Sequence, residues 1–357
     1  MLSSLSAIRN SVIYENKLYF VAGNYGKLFF ADMVDQWKIE SVCELPWRGT
    51  ADCFLLNNKI WCVAMKGMQL ISYEIDTKNV EYYTYGEVER ENVLSLIDKD
   101  FIWIFPRDLP DALFLFSIRD KKFSMNFEWE KGWGKYNISG HALVASAYKK
   151  EVIMSLQNTR LILKFDIDEG MVNISELPIV ENIYGVAIAE EGIYVTTNCN
   201  RNIYLWEKNH TVNKIWDEKG SDTHFGKPIY MCGKLLLMDG NRVEVFADGT
   251  LKHLECIGLE NKQMQGALFF AGLELENRCI LFPWNANFAI ETSKQIDEVK
   301  IHKMDCPLVD FLYRVRIIVE GDTSLFDFIN AVQHDNKPRD TMNLEKNGNA
   351  IYWRMRE

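Results

Sequence analysis

The chain has 357 residues, 48% of them hydrophobic, with 40 Lys and Arg against 50 Asp and Glu and a formal net charge of −10. This acidic balance, without a concentrated basic stripe, argues against nucleic acid as a partner, because binding phosphates requires clustered Lys and Arg. No apolar run approaches the roughly 20 residues that span a bilayer, and residues 1–9 lack the basic and apolar regions of a signal peptide, so we expect a cytoplasmic protein that does not enter a membrane.

Seven short apolar segments recur along the chain and predict β-strands. They are residues 17–21, 59–63, 101–105, 151–154, 192–195, 234–237 and 278–282. Measured between Leu18, Ile60, Ile102, Val152, Ile193, Leu235 and Ile280, the spacings are 42, 42, 50, 41, 42 and 45 residues. A period of about 40–50 residues is typical of a propeller blade made of four short strands. The sequence therefore predicts an all-β fold, a seven-bladed β-propeller of four-stranded antiparallel blades.

The second repeat illustrates how each blade divides into strands. Residues 51–56, 59–64, 69–75 and 80–85 read as its four strands, with a turn at Asn57 and Asn58 and a loop over residues 65–67. The same division starts the blades near residues 10, 50, 92, 141, 184, 225 and 265, so that the propeller occupies residues 1–302. The ring could close through a strand from either terminus, or blade seven could be complete by itself, which is the arrangement that we favour.

Residues 303–357 break the repeat. The stretch Asp322-Thr323-Ser324 with Asp327 resembles an acidic capping box, and it is followed by an apolar helical face of Leu325, Phe328, Ile329 and Val332. This pattern predicts a short mixed or helical C-terminal appendage. It would either pack on the propeller or serve as an element that docks a partner.

Landmarks in the third and fourth strands carry a family resemblance. Residues 73–77 (YEIDT), residues 165–168 (FDID) before Leu177-Pro178, and Ala31-Asp32 with Trp37 before Leu45-Pro46 look like the aromatic-Asp, Thr, Trp and Leu-Pro positions of Kelch repeats. Over roughly residues 10–302 the chain therefore resembles the Kelch-like, galactose-oxidase-type β-propellers. It departs from them at the end of the second strand, where their glycine doublet is reduced to Gly23 in the first repeat and is replaced in the others.

Cysteine and histidine patterns give no sign of a metal site or a cofactor. None of the eight cysteines forms a C-x-x-C pair, so we expect small buried thiols in a reducing compartment. The six histidines stand singly, without the spacing of a metal-binding motif. His141 and His224 lie near equivalent blade starts, which leaves a pair at the channel mouth as the less favoured alternative.

Candidate ligand-binding residues lie in the loops between blades and in the loops that join second and third strands. These loops meet at the face where a propeller channel opens as a funnel. The candidates are Trp47, Arg48, Arg107, Trp133, Tyr136, His141, Tyr184, Arg201, His224, Trp284 and Asn285. Aromatic side chains beside amides and charges suit a carbohydrate-like ligand and equally suit a peptide. For Trp133 the alternative is a local lid over its own blade.

Two functions follow from this face. The first is a non-catalytic scaffold, expected to be a monomer, that binds a protein or a small ligand at the funnel. The second is an enzyme acting on a carbohydrate or another polar metabolite, with Asp52 and Asp108 as a candidate carboxylate pair. No nucleophile elbow, phosphate loop or dinucleotide fingerprint is present in the sequence. A deep funnel with a carboxylate pair or a His–acid pair would favour the enzyme, and a shallow face with exposed aromatic residues would favour the scaffold.

Overall fold

The computed structural model describes residues 8–22, 26–47, 49–86, 90–109, 111–125, 133, 136, 140–218, 224–239, 242–254, 269–283 and 288–304. These residues form seven antiparallel sheets of four main strands each, arranged as the blades of a β-propeller. The predicted fold class is therefore confirmed. The appendage predicted over residues 303–357 lies, beyond Met304, outside the described residues.

Each blade is a meander whose strands are adjacent in sequence. Blade I contains β1 (Val12–Tyr14), β2 (Lys17–Val21), β3 (Lys27–Asp32) and β4 (Lys38–Glu44). Blade II contains β5 (Ala51–Leu56), β6 (Lys59–Ala64), β8 (Gln69–Glu74) and β9 (Val80–Thr84), with the short β7 (Lys66–Gly67) between its second and third main strands. Blade III contains β10 (Arg90–Asp98), β11 (Phe101–Pro106), β13 (Phe114–Ser117) and β14 (Lys122–Met125), with β12 (Asp108–Leu109) in the corresponding loop.

The other four blades repeat this order. Blade IV contains β15 (Gly140–Tyr148), β16 (Glu151–Leu156), β17 (Leu161–Asp166) and β18 (Met171–Glu176), and blade V contains β19 (Ile183–Ile188), β20 (Gly192–Thr197), β21 (Arg201–Glu207) and β22 (Val212–Glu218). Blade VI contains β23 (Ile229–Met231), β24 (Lys234–Asp239), β25 (Arg242–Ala247) and β26 (Thr250–His253). Blade VII contains β27 (Phe269–Glu274), β28 (Arg278–Pro283), β29 (Phe288–Ser293) and β30 (Val299–Lys303). Every inner strand begins within four residues of its predicted start.

The local sequence explains the tight hairpins. Asn57 and Asn58 join β5 to β6 with φ angles of 52° and 60°. Two consecutive residues with positive φ make a turn whose twist matches that of the flanking strands, and Asn tolerates this conformation better than most residues. The turn therefore sets the register in which Leu55 lies opposite Ile60.

The hydrophobic core lies between neighbouring blades. At the junction of blades III and IV, the Phe105 ring meets the Phe165 ring edge-on at 5.4 Å, and Trp103 lies 5.5 Å from the same ring. Phe105 and Phe165 are fully buried. Each blade has an apolar face that is exposed to water unless the next blade covers it. The blades are therefore stable only as a ring.

Blade VII meets blade I through side-chain packing. All four main strands of blade VII are local, as favoured from the sequence. Ile8 and Phe20 pack with Phe282 and Met304, and each of these four side chains is fully buried. Ile8 also forms a single β-bridge with Ala22.

Short strands connect blades II, III and IV on one side of the ring. In β7, Gly67 pairs with Arg90 at the start of β10, and in β12, Leu109 pairs with Gly140 at the start of β15. The prediction of a plain loop over residues 65–67 was therefore wrong. The sequence signal for β7 is weak, because a two-residue strand is too short to show the alternation of apolar and polar residues that indicates a strand.

The structure also corrects the expectation that the cysteines are free thiols. Cys232, in the turn of the first hairpin of blade VI, and Cys279, in β28 of blade VII, are joined by a disulfide. Cys53 and Cys62 remain free and buried in neighbouring strands of blade II. Among the described residues, no helix is long and apolar enough to cross a membrane.

Candidate functional site

The funnel face is the side of the ring where the inner strands begin and the loops between second and third strands turn. β-bulges interrupt the inner strands of blades III, IV, V and VII close to this face, between Asn92 and Leu94, Ala142 and Val144, Ile183 and Gly185, and Phe269 and Ala271. A bulge adds one residue and redirects the local side chains, and bulges are enriched beside functional sites. Tyr184, one of the predicted site residues, is such an added residue.

A buried ion pair links blades I, II and III at the centre of this face. Arg9, which precedes β1, places its Nε 3.0 Å from Oδ1 of Asp52 on the inner strand of blade II. The Arg9 guanidinium also donates to the carbonyl oxygen of Val93, the added residue of the blade III bulge. The second oxygen of Asp52 accepts the backbone N–H of Ser95 at 2.8 Å. Arg9 and Asp52 are 7% and 2% exposed, so this ion pair is almost completely shielded from solvent.

Lys227 approaches the same centre from the other side of the ring. It lies just before the inner strand of blade VI, where Pro228 packs against Gly185 of blade V. The pKa of Lys227 is lowered to about 7, chiefly by burial and also by the positive charge of Arg9, while Asp52 acts to raise it. Burial likewise lowers the pKa of Arg9; Asp52 raises it, and Arg107 is a further cation that acts to lower it. Several positive charges therefore converge where little water screens them.

Two charged pairs surround this centre on blades III and IV. Nη1 of Arg107 lies 2.7 Å from Oε2 of Glu91, and both side chains are partly exposed. Nδ1 of His141 contacts Oδ1 of Asp108 in the strand pair that joins these blades. The side chains of His141 and Asp108 are 44% and 50% exposed, so water surrounds this His–acid pair. Asp52 and Asp108, predicted as a possible carboxylate pair, instead each contact a different basic side chain.

Aromatic side chains occupy the next part of the face. The rings of Tyr184 and His224 lie 4.9 Å apart, and His224 is exposed. The backbone carbonyl of Tyr184 accepts the Ser155 hydroxyl at 2.9 Å, which fixes the bulge to blade IV. Burial raises the pKa of Tyr184, so its hydroxyl stays neutral at physiological pH. These two candidates from different blades are therefore brought together.

Other predicted site residues lie in the core or outside the described part of the chain. Trp47 and Trp133 are each 7% exposed, and Trp133 packs with Phe105 and Leu109 between blades III and IV. Tyr136 lies beside Trp133, to whose carbonyl oxygen it donates its backbone N–H at 3.0 Å. Trp133 is thus buried between two blades and is not exposed on the funnel face. Arg48, Trp284 and Asn285 lie outside the described residues.

Arg201 is buried at the seam between blades V and VI. It pairs with Glu244 of blade VI, lies 2.7 Å from Oε2 of Glu218, and covers the Phe225 ring at 4.6 Å. Two carboxylates thus compensate this one guanidinium. Its interactions join blades V and VI, as those of Arg9 join blades I, II and III.

Sequence reasoning missed Arg9, Glu91 and Lys227. Arg9 lies ahead of the first strand and Lys227 lies between a glycine and a proline, so neither belongs to an alternating pattern. A signal was nevertheless present, because all three lie within three residues of the start of an inner strand. Within the described ranges, no group of three or more His, Cys, Asp or Glu side chains is placed to hold a metal ion.

No family model matches the chain, and no curated protein matches it in sequence. Solved structures do share its fold. Virginiamycin B lyase from Staphylococcus aureus superposes with a TM-score of 0.57 at 8% identity, over 83% of this chain and 95% of the lyase. YCF48 from Cyanidioschyzon merolae superposes with a TM-score of 0.62 at 10% identity, over 82% and 97% of the two chains. YCF48 bound to D1 peptide also superposes with a TM-score of 0.62, at 9% identity and over 82% and 93%. These likenesses establish a seven-bladed propeller and leave the activity to be argued from the site.

Proposed function

We propose that this propeller is a non-catalytic scaffold that binds a protein partner, through an extended peptide segment, at its funnel face. The observation that carries the proposal is the distribution of exposure across the face. Its centre is a buried, positively charged cluster around Arg9 and Lys227, and its surroundings are partly or fully exposed side chains that include His141, Tyr184 and His224. Protein-binding surfaces have a polar, solvent-accessible rim, and the exposed side chains of this face supply such a rim.

The charged groups support binding better than catalysis. An acid–base mechanism requires a carboxyl group and a partner whose pKa values are separated by their environments. His141 and Asp108 are both largely in water, where their interaction is screened. Asp52 is buried but already paired with Arg9. The structural likeness to YCF48 bound to D1 peptide adds that this propeller architecture is compatible with a peptide ligand.

We also propose that the chain is a Kelch-like propeller. It is supported by the aromatic-Asp-Thr stretch over residues 73–77 and by Trp37, which is buried against His302 of blade VII at 4.2 Å between ring centres. A divergent Kelch-like propeller would carry partner specificity in its loops while the blade landmarks hold the ring together.

The test is a selection of random peptides displayed on phage against the wild-type protein. We expect the enriched peptides to lose binding at least tenfold to the double variant Tyr184→Ala with His224→Ala. The matched control is Tyr82→Ala, which removes an aromatic side chain that is 55% exposed on the outer strand of blade II. Equal binding to all three proteins, or the absence of enriched peptides, would contradict the proposal.

The second candidate function is an enzyme acting on a carbohydrate or another polar metabolite. The contact between His141 and Asp108 favours it, since a carboxylate that orients an imidazole is a common general-base arrangement. Virginiamycin B lyase, with the same fold, is an enzyme. Turnover of a panel of glycosides and other polar metabolites that is lost in His141→Ala and in Asp108→Asn would establish this second function.

A further inference from the structure

Beyond the channel mouth, where Arg9 pairs with Asp52, main-chain hydrogen bonds link neighbouring blades across the funnel face. At three junctions, an inner strand donates an N–H near its start to a carbonyl oxygen of the preceding blade, in the loop between that blade's second and third strands. These bonds run from Asn92 to Met65, from Ala142 to Arg107 and from Ile183 to Thr159, at 2.7, 2.8 and 2.8 Å. The junctions from blade II to blade V are therefore closed by the main chain itself.

The junction of blades V and VI departs from this pattern. The inner strand of blade VI, β23, has three residues, whereas β10 and β15 have nine each. Its pairing with β24 ends at Ile229 opposite Leu236. His224, Phe225 and Gly226 precede this strand on the funnel face, and no main-chain hydrogen bond joins these three to any other residue that the structure describes. This junction therefore has a gap in its main-chain pairing.

Two buried contacts hold this unpaired segment in place. The Phe225 ring is fully buried beneath the Arg201 guanidinium, 4.6 Å away. Pro228 packs so closely on Gly185 of blade V that a Cβ at Gly185 would lie 2.3 Å from Pro228 Cδ. Proline has no N–H, and it restricts the residue before it to extended conformations, so it cannot continue the pairing of β23. Residues 224–226 are thus fixed in position and are neither helix nor turn.

The gap lies beside the aromatic pair of the proposed binding face. His224 is exposed and Gly226 is partly exposed, and the His224 ring lies 4.9 Å from the ring of Tyr184. Unpaired N–H and C=O groups on a fixed segment are a template for the main chain of another strand. When a peptide adds a strand in this way, main-chain hydrogen bonds supply affinity and alternate side chains supply specificity. The gap therefore offers main-chain groups at the place where we expect the partner segment.

We propose that the partner's extended segment binds as an added strand at the junction of blades V and VI, through main-chain hydrogen bonds to His224 and Gly226. This inference rests on the proposed peptide-binding function and specifies its mode of recognition. Alternate side chains of the segment would face the rings of Tyr184 and His224. Main-chain bonds are common to every peptide sequence, so these rings are the part of the site that selects among peptides.

Hydrogen–deuterium exchange of the full unliganded chain, resolved to single residues by mass spectrometry, tests whether the gap is open. We expect the amides of His224 and Gly226 to exchange as fast as that of Lys208, which is exposed in the turn between the third and fourth strands of blade V. The amide of Ala142, bonded to Arg107, should exchange more slowly by about a hundredfold or more. Slow exchange at His224 and Gly226 would mean that another part of the chain already pairs with them, and it would overturn the proposal.

The second measurement uses a peptide enriched in the phage selection. At saturation it should slow exchange at His224 and Gly226 by about tenfold or more and leave Lys208 unchanged. Replacing single peptide amides by esters removes one N–H at a time and keeps the side chains. We expect the affinity to fall about fivefold at alternate positions, which is the effect of one net hydrogen bond, and to stay unchanged at the positions between them, because alternate N–H groups of a strand face opposite edges.

The outcomes separate this site from the proposed function. Selected peptides that bind without slowing exchange at His224 and Gly226, or without the alternating effect of the esters, would overturn the added strand while the peptide-binding function stands. The absence of any enriched peptide, with fast exchange at both amides, would contradict the proposed function and this site with it.

Discussion

The propeller buries two arginines in different ways. At the seam of blades V and VI, Arg201 is enclosed by Glu244 and Glu218 and covers Phe225. At the channel mouth, Arg9 shares Asp52 with a second cation, Lys227. The seam supplies two carboxylates for one guanidinium, whereas at the mouth one carboxylate attracts two cations.

The difference lies in what surrounds each guanidinium. Two carboxylates hold Arg201 between blades V and VI, and a buried charge that is compensated in this way fixes the arrangement of its neighbours. Arg9 contacts the Asp52 carboxylate and donates to the carbonyl oxygen of Val93, and burial lowers its pKa. The two arginines are buried to a similar 6% and 7% exposure, so the same residue type joins blades in two different settings.

The largest expected effect is at the seam. Arg201→Met leaves Glu244 buried without its guanidinium, and we expect the free energy of unfolding to fall by about 3–5 kcal/mol. Urea denaturation followed by tryptophan fluorescence measures this. Arg119→Met, which removes an arginine whose side chain is 78% exposed, should change stability by less than about 0.5 kcal/mol. A loss of stability at Arg201 as small as that at Arg119 would contradict the structural role of the seam.

Asp52→Asn should give the next largest effect. The amide oxygen can still accept the Ser95 N–H, but Arg9 and Lys227 lose the carboxylate that attracts both. We expect a loss of about 3 kcal/mol in the same denaturation experiment. Ser95→Ala is the control, because the bond to Asp52 comes from its backbone N–H and survives the substitution. Equal stability of Asp52→Asn and the wild type would show that the ion pair is not the centre of the channel mouth.

Lys227→Met should act in the opposite direction. Removing a buried cation beside Arg9 should raise the free energy of unfolding at pH 7 by about 1–4 kcal/mol. The pH dependence has a defined sign, since Lys227 has a pKa of about 7 in the folded protein, against an ordinary lysine pKa of 10.5. Between these values the unfolded chain binds a proton that the folded chain does not, so wild-type stability should rise with pH. The advantage of Lys227→Met should therefore shrink between pH 7 and pH 9, and an advantage that is constant or grows would refute the proposed environment.

The exposed pair on blades III and IV should have the smallest effect. His141 and Asp108 touch in solvent, where an ion pair contributes about 0–1 kcal/mol. His141→Ala should therefore leave the unfolding midpoint almost unchanged, while any catalytic turnover that depends on the pair would be lost. A large loss of stability would mean that the pair holds β12 against β15.

The sequence was sufficient to predict the ring because each blade repeats the same local chemistry. Apolar strands such as residues 59–63, with Asn57 and Asn58 before them, define hairpins that do not depend on distant contacts. The sequence also predicts that Tyr184 and His224 lie on the same face of the ring, because both are at blade starts. Their rings lie 4.9 Å apart.

The channel mouth could not be predicted in the same way. The contact of Arg9 with Val93 joins residues 84 positions apart, and it depends on how seven blades close and on a bulge that turns one carbonyl. Trp133 illustrates the reverse case, since its surroundings in sequence are polar while its ring is buried between two blades. The repeat in the sequence shows which strands correspond from blade to blade. It does not show which side chains meet across the channel.

The measurement that tests the account most directly is the pH dependence of the acylation of Lys227, followed by mass spectrometry of the intact wild-type chain with Lys208 as the internal reference. The account predicts that Lys227 reacts with an apparent pKa near 7, because it is buried beside Arg9. A Lys227 that reacts with an apparent pKa near the ordinary lysine value of about 10.4 would contradict the central claim that Lys227 is held beside Arg9 at the channel mouth.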